Sequence, residues 1–223
     1  MKISKITKML PITLALAFVM PCAYAVGENP NDSAIYSLTL PDYLKIKTTT
    51  TPTPSNVSFG DNYSSASIDS ALTGAFTVVS NKLTRNIYLQ GTCAVKGTGT
   101  AGSAGALYAD GTDATKLKLV FTNESNLPAS TSVTNITGGS PSPADNADAI
   151  AFALTPVITS DVHGDDSVTA TFDTSKKQVV YAVKNGTSTF TYTTQQNNEP
   201  NTFDTRDTMG TYKATLKLTD TSL

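Results

Sequence analysis

Apolar and polar residues alternate with a period of two along much of this chain, and no segment carries the 3.6-residue apolar periodicity of an amphipathic helix. Tyr36, Leu38 and Leu40 alternate with Ser37 and Thr39; beyond Pro41, Leu44 and Ile46 alternate with Lys45 and Lys47. Successive side chains of a strand point to opposite faces, so this pattern predicts half-buried β-strands. Residues 36–47 read as one broken strand or as two. Phe76 and Val78 share a face of residues 74–80, and Leu117, Leu119 and Phe121 share a face of 116–121. Further strands are expected at 86–90, 149–154, 168–172, 178–183 and 187–192. The chain ends with Tyr212, Ala214, Leu216 and Leu218 alternating against Thr and Lys. About ten short strands punctuated by turns predict an all-β fold, an antiparallel sandwich or barrel.

Turn chemistry suggests how the strands connect. Residues 76–90 read as a hairpin with its loop centred on 82–85. Asn185-Gly186 is the strongest hairpin signal, since both residues tolerate the positive φ of a type I′ turn. Thr48 to Ser55, with Pro52 and Pro54, is a polar connection, because proline cannot continue a central strand. Residues 62–71 are mostly polar, residues 97–105 contain four glycines and read as a flexible loop, and residues 195–208 read as a long polar loop. Residues 126–146, rich in Ser, Thr, Pro and Gly, are expected to be a long exposed loop or a loop with a minor strand near 133–136. No linker or internal repeat divides residues 26–223, which are expected to form one domain.

The first 25 residues have the layout of a secretory signal: Lys2, Lys5 and Lys8, then an apolar run from Leu10 to Met20, then Ala23-Tyr24-Ala25 before an expected cleavage. That run is too short to span a bilayer, so the expectation is an extracytoplasmic, secreted or surface protein without an integral membrane segment. The first 25 residues hold three of the 16 Lys and Arg and none of the 18 acidic residues, leaving a net charge of −5 on the remainder. Nucleic acid is an unsuitable partner for such a surface. Cys93 alone remains after cleavage, so no disulfide can form within the domain, and a buried, small, apolar role is expected for it.

Catalytic vocabulary is sparse. His163 is the only imidazole and sits in a Gly-containing acidic turn, and no nucleophile elbow is present, so no enzyme activity is expected. The same turn brings Asp161, Asp165 and Asp166 within six residues, a weak candidate site for Ca²⁺, which binds through several oxygen ligands. Its spacing matches no EF-hand loop, and acidic turns are common without any ion. Asp110 with Asp113 and Asp204 with Asp207 are sparser pairs. Stacking on sugars would rely on Tyr63, Tyr88, Tyr108, Tyr192 or Tyr212, as the chain has no Trp. Asn-X-Ser/Thr tripeptides begin at Asn31, Asn56, Asn62, Asn123, Asn135 and Asn185, as a chain this rich in Asn, Ser and Thr produces by chance.

Gly210-Thr211-Tyr212-Lys213-Ala214-Thr215-Leu216-Lys217-Leu218-Thr219 resembles the closing strand of bacterial pilin and spore-coat-U-like secreted domains, where a Gly-X-Tyr turn enters an alternating strand. Residues 76–90 are similar to the second or third strand region of fimbrial subunits. The resemblance implies an immunoglobulin-like, Greek-key antiparallel sandwich and a structural or adhesion subunit of the cell surface. It also implies assembly by strand addition, in which an N-terminal strand of one subunit completes the sheet of another. Ile35, Tyr36, Leu38 and Leu40 would then be donor or first-strand anchors, and Tyr212, Leu216 and Leu218 would line the accepting or closing edge. Partners would be other copies or other surface subunits. A second reading is a binding module for glycan or Ca²⁺ on the loops around Asp110, Asp161 and Asp204.

Overall fold

The computed structural model describes residues 36–60, 65–96, 101–124, 148–162, 168–200, 202–203 and 205–223. Contacts divide the chain into residues 1–40 and 41–223. In the first unit the described residues 36–40 form no strand, and Tyr36, Leu38 and Leu40 are exposed. The regular strand begins only at Leu44. Asn81 organises the residues just before it, donating from Nδ2 to the Pro41 carbonyl at 2.7 Å and accepting the Tyr43 N–H at 2.8 Å.

Among the described residues, 41–223 hold 14 strands and no helix. They are β1 (Leu44–Thr50), β2 (Val57–Phe59), β3 (Ala66–Ile68), β4 (Thr73–Ser80), β5 (Arg85–Lys96), β6 (Ala101–Gly105) and β7 (Leu107–Ala109). There follow β8 (Leu117–Asn123), β9 (Ala149–Val162), β10 (Thr169–Asp173), β11 (Gln178–Val183), β12 (Gly186–Asn198), β13 (Tyr212–Lys213) and β14 (Thr215–Thr219). One sheet runs β1-β4-β12-β9-β8-β13, with β3 beside β12, β2 on β3 and β7 on β8; the other runs β10-β11-β5-β14, with β6 on β5. Neighbours in both sheets are antiparallel.

Alternation places the core between the sheets. On β12, Ser188, Phe190, Tyr192 and Thr194 are buried and the residues between them only partly so. Facing them are Val179, Tyr181 and Val183 of β11 and Ile87, Leu89 and Cys93 of β5, all buried. The Tyr181 and Phe190 rings meet across the interface at 4.9 Å. Each aromatic or aliphatic side chain so buried contributes about 1.5–3 kcal/mol relative to exposure.

Both expected hairpins are instead crossings between sheets. β4 lies between β1 and β12, whereas β5 lies between β11 and β14, so residues 76–90 do not pair with one another. The corner between them is held by Asp42, which pairs with Lys82 at 3.0 Å and with Arg85. The Lys82 and Arg85 cations hold the Asp42 carboxyl below the usual carboxylate range. Likewise β11 pairs with β10 and β5, while β12 pairs with β4 and β9. Asn185-Gly186 turns this second corner, with only Gly186 at positive φ, 124°. The reason is burial: the apolar faces of β11 and β12 are satisfied by facing each other, which a flat hairpin would prevent.

Other boundaries shift for similar reasons. The glycine-rich residues expected as a loop include β6, which pairs with Thr92–Lys96 of β5. β12 continues to Asn198 through residues expected to be loop, and β3 lies within the polar stretch 62–71. The closing strand divides at Ala214: Tyr212–Lys213 pairs with β8 in one sheet and Thr215–Thr219 with β5 in the other. The long loop expected at 126–146 lies outside the described residues.

Candidate functional site

β14 is an edge. β5 pairs with one side of it, and among the described residues no strand pairs with the other. Its outward N–H and C=O groups form a template for an added strand. Leu218 is buried in the core, but Leu216, two residues earlier on the same face, is only partly covered. Beside it lies a groove of about 240 Å³ between the sheets. Leu154, Tyr192 and Phe76 line it, with Ala214 to Leu216 and with Thr48, Thr50, Thr51 and Pro52. β1, at the edge of the nine-stranded sheet, carries Lys45 and Lys47, charges that oppose pairing with another chain.

Two buried phenols, Tyr181 and the groove-lining Tyr192, neighbour each other. Among the described residues their hydroxyls meet no hydrogen-bond partner beyond one another. Burial pushes Tyr181 up to about 12 and, with Tyr181 beside it, holds Tyr192 well above the ordinary tyrosine range. Folding raises these pKa values, so ionisation favours the unfolded chain: their contribution is fully present below pH 10.0 and falls as pH rises toward about 12. The urea midpoint is expected to drop across that window, and to drop less in Tyr181→Phe. A slope identical in the variant would assign the alkaline loss to other groups.

Tyr212 sits apart from the groove, on β13 in the opposite sheet from β14. Its O–H lies 3.0 Å from the Thr208 carbonyl and 3.3 Å from Asp148 Oδ1. Burial, with the nearby Asp207 and Asp148 charges, raises its pKa. Around it Asn123 Nδ2 donates to the Thr208 carbonyl at 3.1 Å, and the Asp148 N–H donates to Asp207 Oδ1 at 2.7 Å. Tyr212 therefore anchors a polar corner, while Leu216 and Leu218 belong to the edge strand. Sequence reasoning missed Asp148 and marked Asn123 only as the start of an Asn-X-Ser/Thr tripeptide, because the partners of both are brought together only by the folded sheet.

The remaining candidates are dispersed. Asp161 is exposed on β9, paired in register with Thr187; Asp165, Asp166 and His163 lie outside the described residues, as do Ile35, Tyr63 and Asp204. Asp110 pairs with the Lys118 ammonium at 3.3 Å, and Glu199 meets the same ammonium at 3.2 Å. Burial opposes the Lys118 charge, but the two carboxylates outweigh it and its pKa is raised. Tyr108 is buried with its O–H on the Gly105 carbonyl at 3.0 Å. Cys93 is buried in the core, which pushes its thiol up to about 11.

Comparison with family models, with curated proteins and with solved structures yields no match.

Proposed function

We propose that this chain is a secreted bacterial cell-surface or fimbria-like structural subunit, an immunoglobulin-like Greek-key sandwich that assembles by β-strand addition. The observation that carries the reading is the open edge of β14 beside an apolar groove. A strand laid along β14 gains main-chain hydrogen bonds there, and its alternate side chains enter the groove over Phe76 and Tyr192. The residues suited to supply that strand are Tyr36, Leu38 and Leu40, which alternate with polar residues and are exposed. Residues 1–25 direct export in this reading, and Ile35 extends the donor at its N-terminal end. The role is mechanical and requires no catalytic group.

Light scattering on residues 26–223, the protein without its expected signal, across a concentration series tests the proposal. Multimers are expected at high concentration, and Leu38→Asp with Leu40→Asp should return the protein to a monomer with an unchanged β-sheet spectrum. A wild-type protein that stays monomeric throughout, or multimers indifferent to the double substitution, would overturn it.

A further inference from the structure

The C-terminal half of β9 is a second open edge. β8 pairs only with Ala149 to Leu154, so among the described residues Thr155 to Val162 have β12 on one side and no strand on the other. β1 is the opposite edge of the same sheet. Between these edges the register runs in five unbroken rows. They start from Leu44, Lys45, Ile46, Lys47 and Thr48 on β1, cross β4 and β12, and end at Val162, Asp161, Ser160, Thr159 and Ile158 on β9.

The two edges match. Every neighbour is antiparallel, so β1 and β9 run in opposite directions. The N–H and C=O of a residue point to one neighbour only, so hydrogen-bonded and non-bonded pairs alternate along a row. Across four strands both alternations come full circle. A β1 from a second copy therefore fits against β9 in the same rows, with its main-chain groups in phase.

The side chains agree with that placement. On the outer face Lys45 and Asp161 end one row; both are exposed, and neither has an ion-pair partner among the described residues. Exposed Lys47 and Thr159 end the adjoining outer row. On the inner face Leu44, Ile46 and Ile158 are only partly buried at the margins of the core. Brought together, Asp161 meets the incoming Lys45, Thr159 meets Lys47, and Ile158 lies diagonal to Ile46. Edge lysines bar strands that offer no counter-charge, and Asp161 supplies one in the matching row.

We propose that β9 of one copy takes β1 of a second copy, extending the nine-stranded sheet head to tail. The contact is heterologous and leaves one β1 and one β9 free at the ends, so it builds an open array rather than a closed dimer. It uses neither β14 nor residues 36–40. A single pair of short edges is weak, since an exposed ion pair adds little by itself. The contact therefore holds where copies are already concentrated or tethered.

Carbodiimide, which joins a carboxylate directly to a touching amine, tests this on residues 26–223 carrying Leu38→Asp and Leu40→Asp. In that protein the outcome is independent of the β14 contact. Within one copy Lys45 and Asp161 lie three strand spacings apart, about 14 Å, beyond the reach of such a link. A Lys45–Asp161 amide found by mass spectrometry of concentrated protein thus joins two copies, and it is expected in excess of any amide between Asp161 and the also exposed Lys217. Thr159→Lys keeps both reactive groups but sets like charges opposite each other in the adjoining row, so the yield should fall about fivefold, the upper range for such a pair. Adding Lys47→Glu should restore it. Absence of the Lys45–Asp161 amide, or a yield that Thr159→Lys leaves unchanged or Lys47→Glu fails to restore, would overturn the proposal.

Discussion

Gly91→Val should destabilise the whole protein by more than about 3 kcal/mol, the upper range for overpacking a tight interior. A Cβ at Gly91 would lie 2.9 Å from Leu107 Cβ and 3.0 Å from the Leu107 backbone nitrogen. Neither can retreat. The Ala106 N–H donates to the Gly91 carbonyl at 2.9 Å, and the Ala106 carbonyl accepts the Val120 N–H at 2.9 Å. Ala106, fully buried, is thus a main-chain bridge from β5 in one sheet to β8 in the other, and a side chain at position 91 forces the bridge open. Gly91→Ala should cost less, about 1–3 kcal/mol. Urea unfolding measures the loss, and hydrogen exchange should accelerate first at the Ala106 and Val120 amides. A Gly91→Val protein with the parental urea midpoint would show that the bridge yields easily.

The second large effect is expected at Asp148, which is buried and holds a φ of 65°. Its Oδ1 accepts the Thr208 N–H at 2.8 Å, the Thr208 hydroxyl and, at 3.3 Å, the Tyr212 hydroxyl. Its carbonyl accepts the Asn123 N–H at 3.0 Å, closing the β8–β9 pair. Asp148→Ala strands the Thr208 N–H and hydroxyl, leaves Tyr212 only the Thr208 carbonyl, and places alanine in a left-handed conformation, at a combined cost of about 3–5 kcal/mol. Asp148→Gly removes the backbone cost and should lie about 1 kcal/mol above alanine. Asp148→Asn keeps an acceptor at the same position and tolerates the same φ, so it should be mildest. Chemical denaturation of the three variants checks the order; equal losses for Ala and Asn would show that the side-chain oxygen is irrelevant.

Gly210 belongs to the same corner. A Cβ there would lie 2.1 Å from Asn123 Oδ1, and Asn123 is fully buried. The Gly-X-Tyr turn noted in the sequence therefore has a local physical cause: glycine gives room for Asn123, and tyrosine reaches back to Thr208 and Asp148.

Strands were legible because alternation is a local property. β11 coincides with the alternating residues 178–183, and β8 is within two residues of its expected limits. Sheet partners were not legible, because they depend on which apolar faces meet. Asn185-Gly186 has the composition of a tight hairpin, yet Val183 and Phe190 are both better buried across the core than side by side. The expected strand at Tyr36 to Leu40 has the right pattern, but the described residues 36–40 form no strand, and alternation alone does not make a ladder. Small residues hid β6, since glycine and alanine carry no periodic signal. At the candidate edge, Leu216 and Leu218 were readable from the closing alternation. The groove beside them was not, because Phe76, Leu154 and Tyr192 come from three strands far apart in sequence.

The two crossings have a consequence for how the chain reaches this state. Where a hairpin would close a loop of a few residues, these corners send consecutive strands into different layers, and the ladders must be built from distant partners. Thr73 meets Thr193 across 120 residues, and Gln90 meets Gln178 across 88 and Thr221 across 131. Loop-closure entropy must then be overcome before most contacts offset it, which places such folds in the millisecond-to-second range rather than microseconds. During that interval alternating strands such as β12 have their edges open to any neighbouring chain, so the yield of native protein should fall as the concentration of refolding chains rises.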